Sequence, residues 1–164
     1  MRQVPSSSDV IRNQTELKRI PSDVEDLWIA NFEIANQKNL ILNQQQFMKN
    51  LTIGMNALSG ITSMELSGLK SLERVVIMRG GMYDGSGRLR VVNCTNLKSI
   101  ITDAQAIIRY KYLELIELPH LQSLKLGDNA FKNVYTIQME SNKKIKLHNR
   151  LDITTIHSTR KECT

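Results

Sequence analysis

Apolar residues along this chain recur at a fixed offset. From Leu124 as an anchor, comparable positions upstream are Ile100, Val75, Leu51 and Leu27, at intervals of 24, 25, 24 and 24 residues. Two places after each anchor stand Ile29, Ile53, Ile77, Thr102 and Leu126; seven places after stand Ile34, Leu58, Met82, Ile107 and Phe131. A pair thirteen and fifteen places on reads Leu40 and Leu42, Met64 and Leu66, Leu113 and Leu115, Ile137 and Met139; in the third unit it arrives one place late, as Leu89 and Val91. Three places before each following anchor come Met48, Leu72, Leu97, Leu121 and, more weakly, Ile145. Of these thirty positions 29 are apolar, Thr102 being the exception, where a composition 41% apolar would fill about 12. The chain is a repeat protein.

The columns predict the elements. Side chains alternate across an extended strand, so each anchor and its partner two places on face the same way. The pair thirteen and fifteen places on marks a second short extended segment, also facing inward. One unit by itself has two thin apolar edges and nothing to cover them. Stacked units bury those edges against one another, about 4.8 Å apart if the strands pair in parallel, and five units build a sheet about 20 Å wide. A solenoid is expected.

The segments carrying the columns have a more specific spacing. Leu121–Phe131 reads L-Q-S-L-K-L-G-D-N-A-F and Met48–Leu58 reads M-K-N-L-T-I-G-M-N-A-L. Both fit L-x-x-L-x-L-x-x-N-x-L, and the chain resembles the leucine-rich-repeat family over residues 24–140. The other copies depart at the asparagine: Gln105 in Leu97–Ile107, Gly80 in Leu72–Met82, and Phe32 in Val24–Ile34 with Asn31 one place early. The resemblance implies a mainly β, right-handed solenoid with few or no helices. It also implies a horseshoe whose concave parallel sheet contacts other proteins, without an active site. Asn56 and Asn129 are expected to bond main-chain groups at the turn after the strand, a role asparagine suits. Gly80 cannot, so the third unit is expected to be looser there. The glycine-rich stretch Gly80–Gly87 that follows reads as a bulging loop, since it lacks the phosphate-loop pattern and its strand-to-helix setting.

The ends keep the pattern poorly. Residues 1–16 form a polar N-terminal segment, 17–140 the solenoid, and 141–164 a basic tail or degenerate repeat. Leu17, Ile20 and Val24 look like a damaged half-unit able to pair as an irregular first edge. Beyond Met139 the next anchor is expected near His148, where I-K-L-H-N-R-L-D-I-T-T-I loses the spacing. Open solenoid ends need caps, so self-association through the sheet edges is a further expectation.

Composition changes this picture little. Net charge is +6, and most of it lies beyond residue 140, so a basic face for nucleic acid is not expected. No apolar run is long enough to span a membrane, and no leader-like run opens the chain, so a cytoplasmic location is expected. The sequons at Asn13, Asn50 and Asn93 then carry no weight. Cys94 and Cys163 read as a buried small residue and a tail thiol rather than a disulfide framework. His120 reads as an exposed turn residue. His148, His157 and Cys163 have no zinc spacing, and Glu114 and Glu117 read as solvated carboxylates. No catalytic group, metal or cofactor is expected.

What remains is geometric. Between the inward columns one outward column runs Trp28, Thr52, Val76, Ile101, Lys125. Beside it run Asp26, Asn50, Arg74, Ser99, Ser123 and Ala30, Gly54, Met78, Asp103, Gly127. The expected partner-binding residues are Trp28, Thr52, Arg74, Val76, Met78, Ile101, Asp103 and Lys125, because exposed aromatic and apolar side chains grouped on a sheet suit a protein contact. The plainer reading is that Thr, Val and Ile merely favour strands. The alternative function is a structural or remnant segment of a longer repeat protein.

Overall fold

The computed structural model describes residues 10–31, 37–83, 87–134 and 136–140, together with the main-chain course of 146–148 and 156–158. Each repeat contributes two strands, one to each of two parallel sheets. The first sheet holds β1 (Val10–Ile11), β2 (Asp26–Ile29), β4 (Asn50–Ile53), β6 (Arg74–Ile77), β8 (Ser99–Thr102), β10 (Ser123–Lys125) and β12 (Lys146–His148), in that spatial order. The second holds β3 (Asn39–Leu42), β5 (Ser63–Ser67), β7 (Arg88–Val92), β9 (Tyr112–Ile116), β11 (Thr136–Met139) and β13 (Ile156–Ser158), also in order. A single helix among the described residues, α1 (Gln14–Leu17), lies between β1 and β2. The protein is a mainly β solenoid of stacked parallel sheets, as the repeat predicts.

Register follows the sequence columns residue for residue. Leu27 pairs with Leu51, Leu51 with Val75, Val75 with Ile100 and Ile100 with Leu124. In the second sheet Leu40, Met64, Leu89, Leu113 and Ile137 form one row, so the late pair Leu89 and Val91 rejoins the frame. The core lies between the sheets, and all the described members of the anchor column and of the columns two, seven and thirteen places later are buried. Ile34 and Ile145 lie outside the described residues. Three further buried columns went unread. One is small, with Ala57, Gly81, Ala106 and Ala130; one holds Ile61, Tyr110 and Val134; one holds Leu69, Cys94 and Leu118.

The turn after each first-sheet strand shows a backbone property of the asparagine column. Asn56, Gly80, Gln105 and Asn129 all have left-handed backbone, with φ of 53°, 67°, 59° and 58°. Asparagine and glycine are the residues that enter this region at least cost, so the column is selected for its backbone. Gly80 is therefore a good occupant, and the third unit is not looser there. Its turn keeps the bond found in the others: Gly81 N–H donates to Met78 O at 2.9 Å, as Ala57 donates to Gly54 at 3.2 Å and Ala130 to Gly127 at 3.0 Å. A side chain at Gly80 would also collide with the Asn56 side-chain oxygen one level away. Of the glycine-rich stretch, residues 84–86 lie outside the described residues.

Thr102, the one polar member of the six columns read from the sequence, is 1% exposed and has a visible consequence. At the other levels the N–H three places after the anchor donates to a main-chain oxygen, as from Met78 to Ile53 and from Asp103 to Ile77. Gly127 N–H donates instead to the Thr102 hydroxyl at 3.3 Å, and β10 ends at Lys125, one place earlier than β8 before it.

Both ends differ from expectation. The first edge is β1, with Val10 opposite Trp28 and Ile11 opposite Ile29; it lies within the segment read as a polar lead-in. Leu17 and Val24 are buried around it rather than forming a strand. A cap starts α1: the Asn13 side chain accepts the Glu16 N–H at 2.9 Å, and the Glu16 carboxylate accepts the Arg12 N–H at 2.6 Å. At the other end β12 and β13 continue both sheets. The residue opposite Leu124 is Leu147, so the anchor arrives one place before His148.

The Tyr110 hydroxyl donates to Ile61 O at 2.6 Å, two repeats away, inside a completely buried site. Burial pushes its ionisation well above the usual phenol range. Tyr110→Phe strands that carbonyl, and by the usual cost of a buried unpaired group it lowers unfolding free energy by about 1–3 kcal/mol, read from the urea midpoint at unchanged slope. A midpoint equal to that of the native chain would show that the bond contributes nothing.

Candidate functional site

The outer face of the first sheet brings the expected residues into line. Strand pairing sets Val10, Trp28, Thr52, Val76, Ile101 and Lys125 in one continuous row. The row forms because these side chains sit between inward anchors on strands whose pairing never slips, so a column in sequence becomes a line in space. Trp28 is 39% exposed; Thr52, Val76 and Ile101 are half-buried; Lys125 is exposed. Val10 is the member the sequence pattern missed, because its unit lacks the 24-residue spacing. Beside this row Asp26, Asn50 and Arg74 are exposed and Ser99 and Ser123 half-buried. Past the strand ends Met78 is half-buried and Asp103 exposed. Asn56 and Asn129 lie away from this face, at the turns described above.

Trp28 is seated by a glycine. A methyl group at Gly54 would stand 3.2 Å from the indole Nε1 and 2.9 Å from Ile29 O. Gly54, placed by the sequence in a neighbouring outward column, is thus the floor on which the indole rests.

Charged groups border the apolar row in register. Lys49 Nζ lies 2.8 Å from Glu25 Oε2, and Lys98 Nζ 2.7 Å from Glu73 Oε2. Asn50 Nδ2 donates to Asp26 Oδ1 at 2.6 Å. The hydrogen bond to Glu25 and its charge raise the Lys49 ammonium above its ordinary 10.5. The hydrogen bond to Lys98 and its charge lower the Glu73 carboxyl below 4.5. Both pairs lie at the solvent surface, so they contribute little to stability.

The outer face of the second sheet is different. Glu65, Arg90 and Glu114 stand in one row. Arg90 lies 3.3 Å from Glu65 and, without hydrogen-bond alignment, 3.1 Å from Glu114; Arg88 Nε lies 3.2 Å from Glu114 as well. Arg88 also stacks over Tyr112, 6.0 Å from the ring centroid. Glu114 is therefore a half-buried, doubly paired carboxylate rather than a solvated one, because stacking sets it beside two arginines of β7. Glu117 is exposed at a turn with φ of 54°.

Reactive chemistry is sparse. Burial pushes the Cys94 thiol up to about 11, so it stays protonated at neutral pH. Cys163 lies outside the described residues. His120 is exposed, with Nδ1 2.6 Å from Thr95 O, which makes Nδ1 the protonated nitrogen. Among the described residues no group of three or more His, Cys, Asp or Glu is placed to hold a metal ion, and no helix is long and apolar enough to cross a membrane.

No protein-family model, curated protein or solved structure matches this chain. The site must be judged on its own geometry.

Two measurements bear on that geometry. Trp28 is the sole tryptophan, so emission reports on this face alone. Gly54→Ala is expected to lift the indole, shifting emission to the red and increasing acrylamide quenching; an unmoved spectrum would mean that the indole does not rest on Gly54. The carboxyl of Glu73 has a lowered pKa, so its pair with Lys98 is present above the ordinary carboxylate pKa and lost as pH falls through the lowered value. In Lys98→Met the Glu73 carboxyl titrates at higher pH by NMR. The same titration curve in both proteins would show that the pair does not form.

Proposed function

We propose that this chain is a protein-interaction module of the leucine-rich-repeat type, holding a partner protein against the outer face of its first sheet. Trp28, Thr52, Val76, Ile101 and Met78 supply the apolar contact. Arg74, Asp103 and Lys125 supply polar contacts at its margin. The observation carrying this reading is the row itself: four half-exposed apolar or β-branched side chains in register, with ion pairs at the border of the sheet rather than across its middle. An apolar centre inside a polar rim is the anatomy of a protein interface. The scarcity of reactive groups favours binding over catalysis.

A second reading has one observation of its own. Strands β12 and β13 carry both sheets past Met139, as a segment of a longer structural array would. The two readings separate on one experiment. Trp28→Asp with Val76→Asp changes only outward positions, so the strand content seen by circular dichroism is expected to persist. As the bait in affinity capture, the double variant loses proteins that the native chain retains. For a captured protein each substitution weakens binding by about thirtyfold or more, the scale of a 2 kcal/mol anchor. Identical captured sets from the two baits would leave the structural reading standing.

A further inference from the structure

The second sheet has an open edge at its N-terminal end. Strand β3 is last in the order, and no described strand pairs with its far side. In a parallel ladder alternate residues turn both main-chain groups to the same neighbour. Lys38 O accepts the N–H groups of Thr62 and Ser63 on the β5 side, at 2.8 and 3.1 Å, so Leu40 and Leu42 also turn toward β5. Asn39 and Ile41 turn theirs outward. Two glutamines of the same unit act along this edge. Gln37 Nε2 donates to Asn39 O at 3.0 Å, and Gln46 Nε2 donates to Asn43 O at 2.9 Å. Between these two capped carbonyls stands Ile41, with an outward donor and an outward acceptor on one residue.

The side chains change character at the same place. The outward row of the second sheet reads Ile41, Glu65, Arg90, Glu114, Gln138. It is charged or polar everywhere but at the edge, where Ile41 is 57% exposed. Phe47, in the same unit, is 62% exposed. The strand Asn-Leu-Ile-Leu has none of the lysine, glutamate or proline that usually blunts a sheet edge.

We propose that β3 pairs antiparallel with β3 of a second copy of this chain, across a two-fold axis at Ile41. A two-fold interface must be self-complementary. A residue with both groups turned outward meets that need by itself, since Ile41 N–H of each copy donates to Ile41 C=O of the other. That is the hydrogen-bonded pair of an antiparallel ladder, with the two Cα atoms about 5.5 Å apart. The second sheets of the two copies become one, and the Ile41 side chains cover each other on the outer face. The glutamine caps stop the ladder from lengthening. A head-to-tail stack fits worse: β1 already sits one level beyond β2 in the first sheet, and α1 occupies the return. The two last strands of an incoming copy therefore cannot meet both sheets at one level.

Sedimentation equilibrium tests the pairing. The native chain is expected at twice 18.7 kDa as concentration rises. Ile41→Lys is expected to stay at the monomer mass, and so is Ile41→Pro, whose lost N–H points away from β5 and leaves the β3–β5 ladder intact. Gln138→Lys, at the far end of the same row, remains dimeric. Oxidised Ile41→Cys in a Cys163→Ser background links the two copies covalently, because paired Cα atoms at that separation accept a disulfide. Gln138→Cys in that background does not link. A native chain that is monomeric throughout, a dimer that survives both Ile41 substitutions, or masses that climb past the dimer would each overturn the proposal.

Discussion

Parallel pairing in unbroken register is the constraint on which the rest of this structure depends. It places each residue beside the residue of the same rank in the next repeat, so every column of the sequence becomes a row in space. Apolar columns become continuous core because no repeat can cover its own two edges. Polar columns face a sterner rule. Identical charges would stack directly on one another, so charge alternates along a row: Glu25 with Lys49, Glu73 with Lys98, and Glu65, Arg90, Glu114 in sequence. Like charges directly opposite would destabilise the pairing.

Turns are held to the same repetition and solve it through the backbone. Each first-sheet turn has two left-handed positions: the first takes Asn56, Gly80, Gln105 and Asn129, and the second, two places on, takes the buried Leu58, Met82, Ile107 and Phe131. At the first of these the side chain varies, whereas at the second burial keeps the side chain apolar. Thr102 shows how a departure inside the core is absorbed. Its hydroxyl takes the place of a carbonyl in the ladder, and the following strand ends early instead of slipping register. A slip by one residue would turn every core side chain outward.

The two outer faces share the scaffold and differ in what they offer. The first-sheet face carries an apolar row with ion pairs along its border. The second-sheet face carries a charge ladder over most of its width and turns apolar only at Ile41. A contact on either leaves the other accessible, because the core separates them. The strongest irregularity in the chain, the short first unit with β1 and α1, adds one strand to the first sheet and none of the described strands to the second, which ends at β3.

Much of this was legible in the residues. The period, strands β2 to β11, their register and the six inward columns follow from spacing alone, because alternation across a strand and repetition along a stack leave one consistent assignment; β1, β12 and β13 do not, since the spacing fails at both ends. The line from Trp28 to Lys125 follows for the same reason. Gly80 was misjudged because spacing carries no φ: a left-handed position looks like any other until the chain is bent through it. Glu114 was read as solvated because its partners lie 24 and 26 residues upstream and meet it only when the repeats stack. The seat of Trp28 on Gly54 and the two capped carbonyls flanking Ile41 were likewise invisible. Each depends on atoms of neighbouring levels approaching within hydrogen-bond or contact distance. Sequence by itself determined which residues share a row; only the tertiary structure decided what each row touches, because those distances are set by how the turns place one level upon the next.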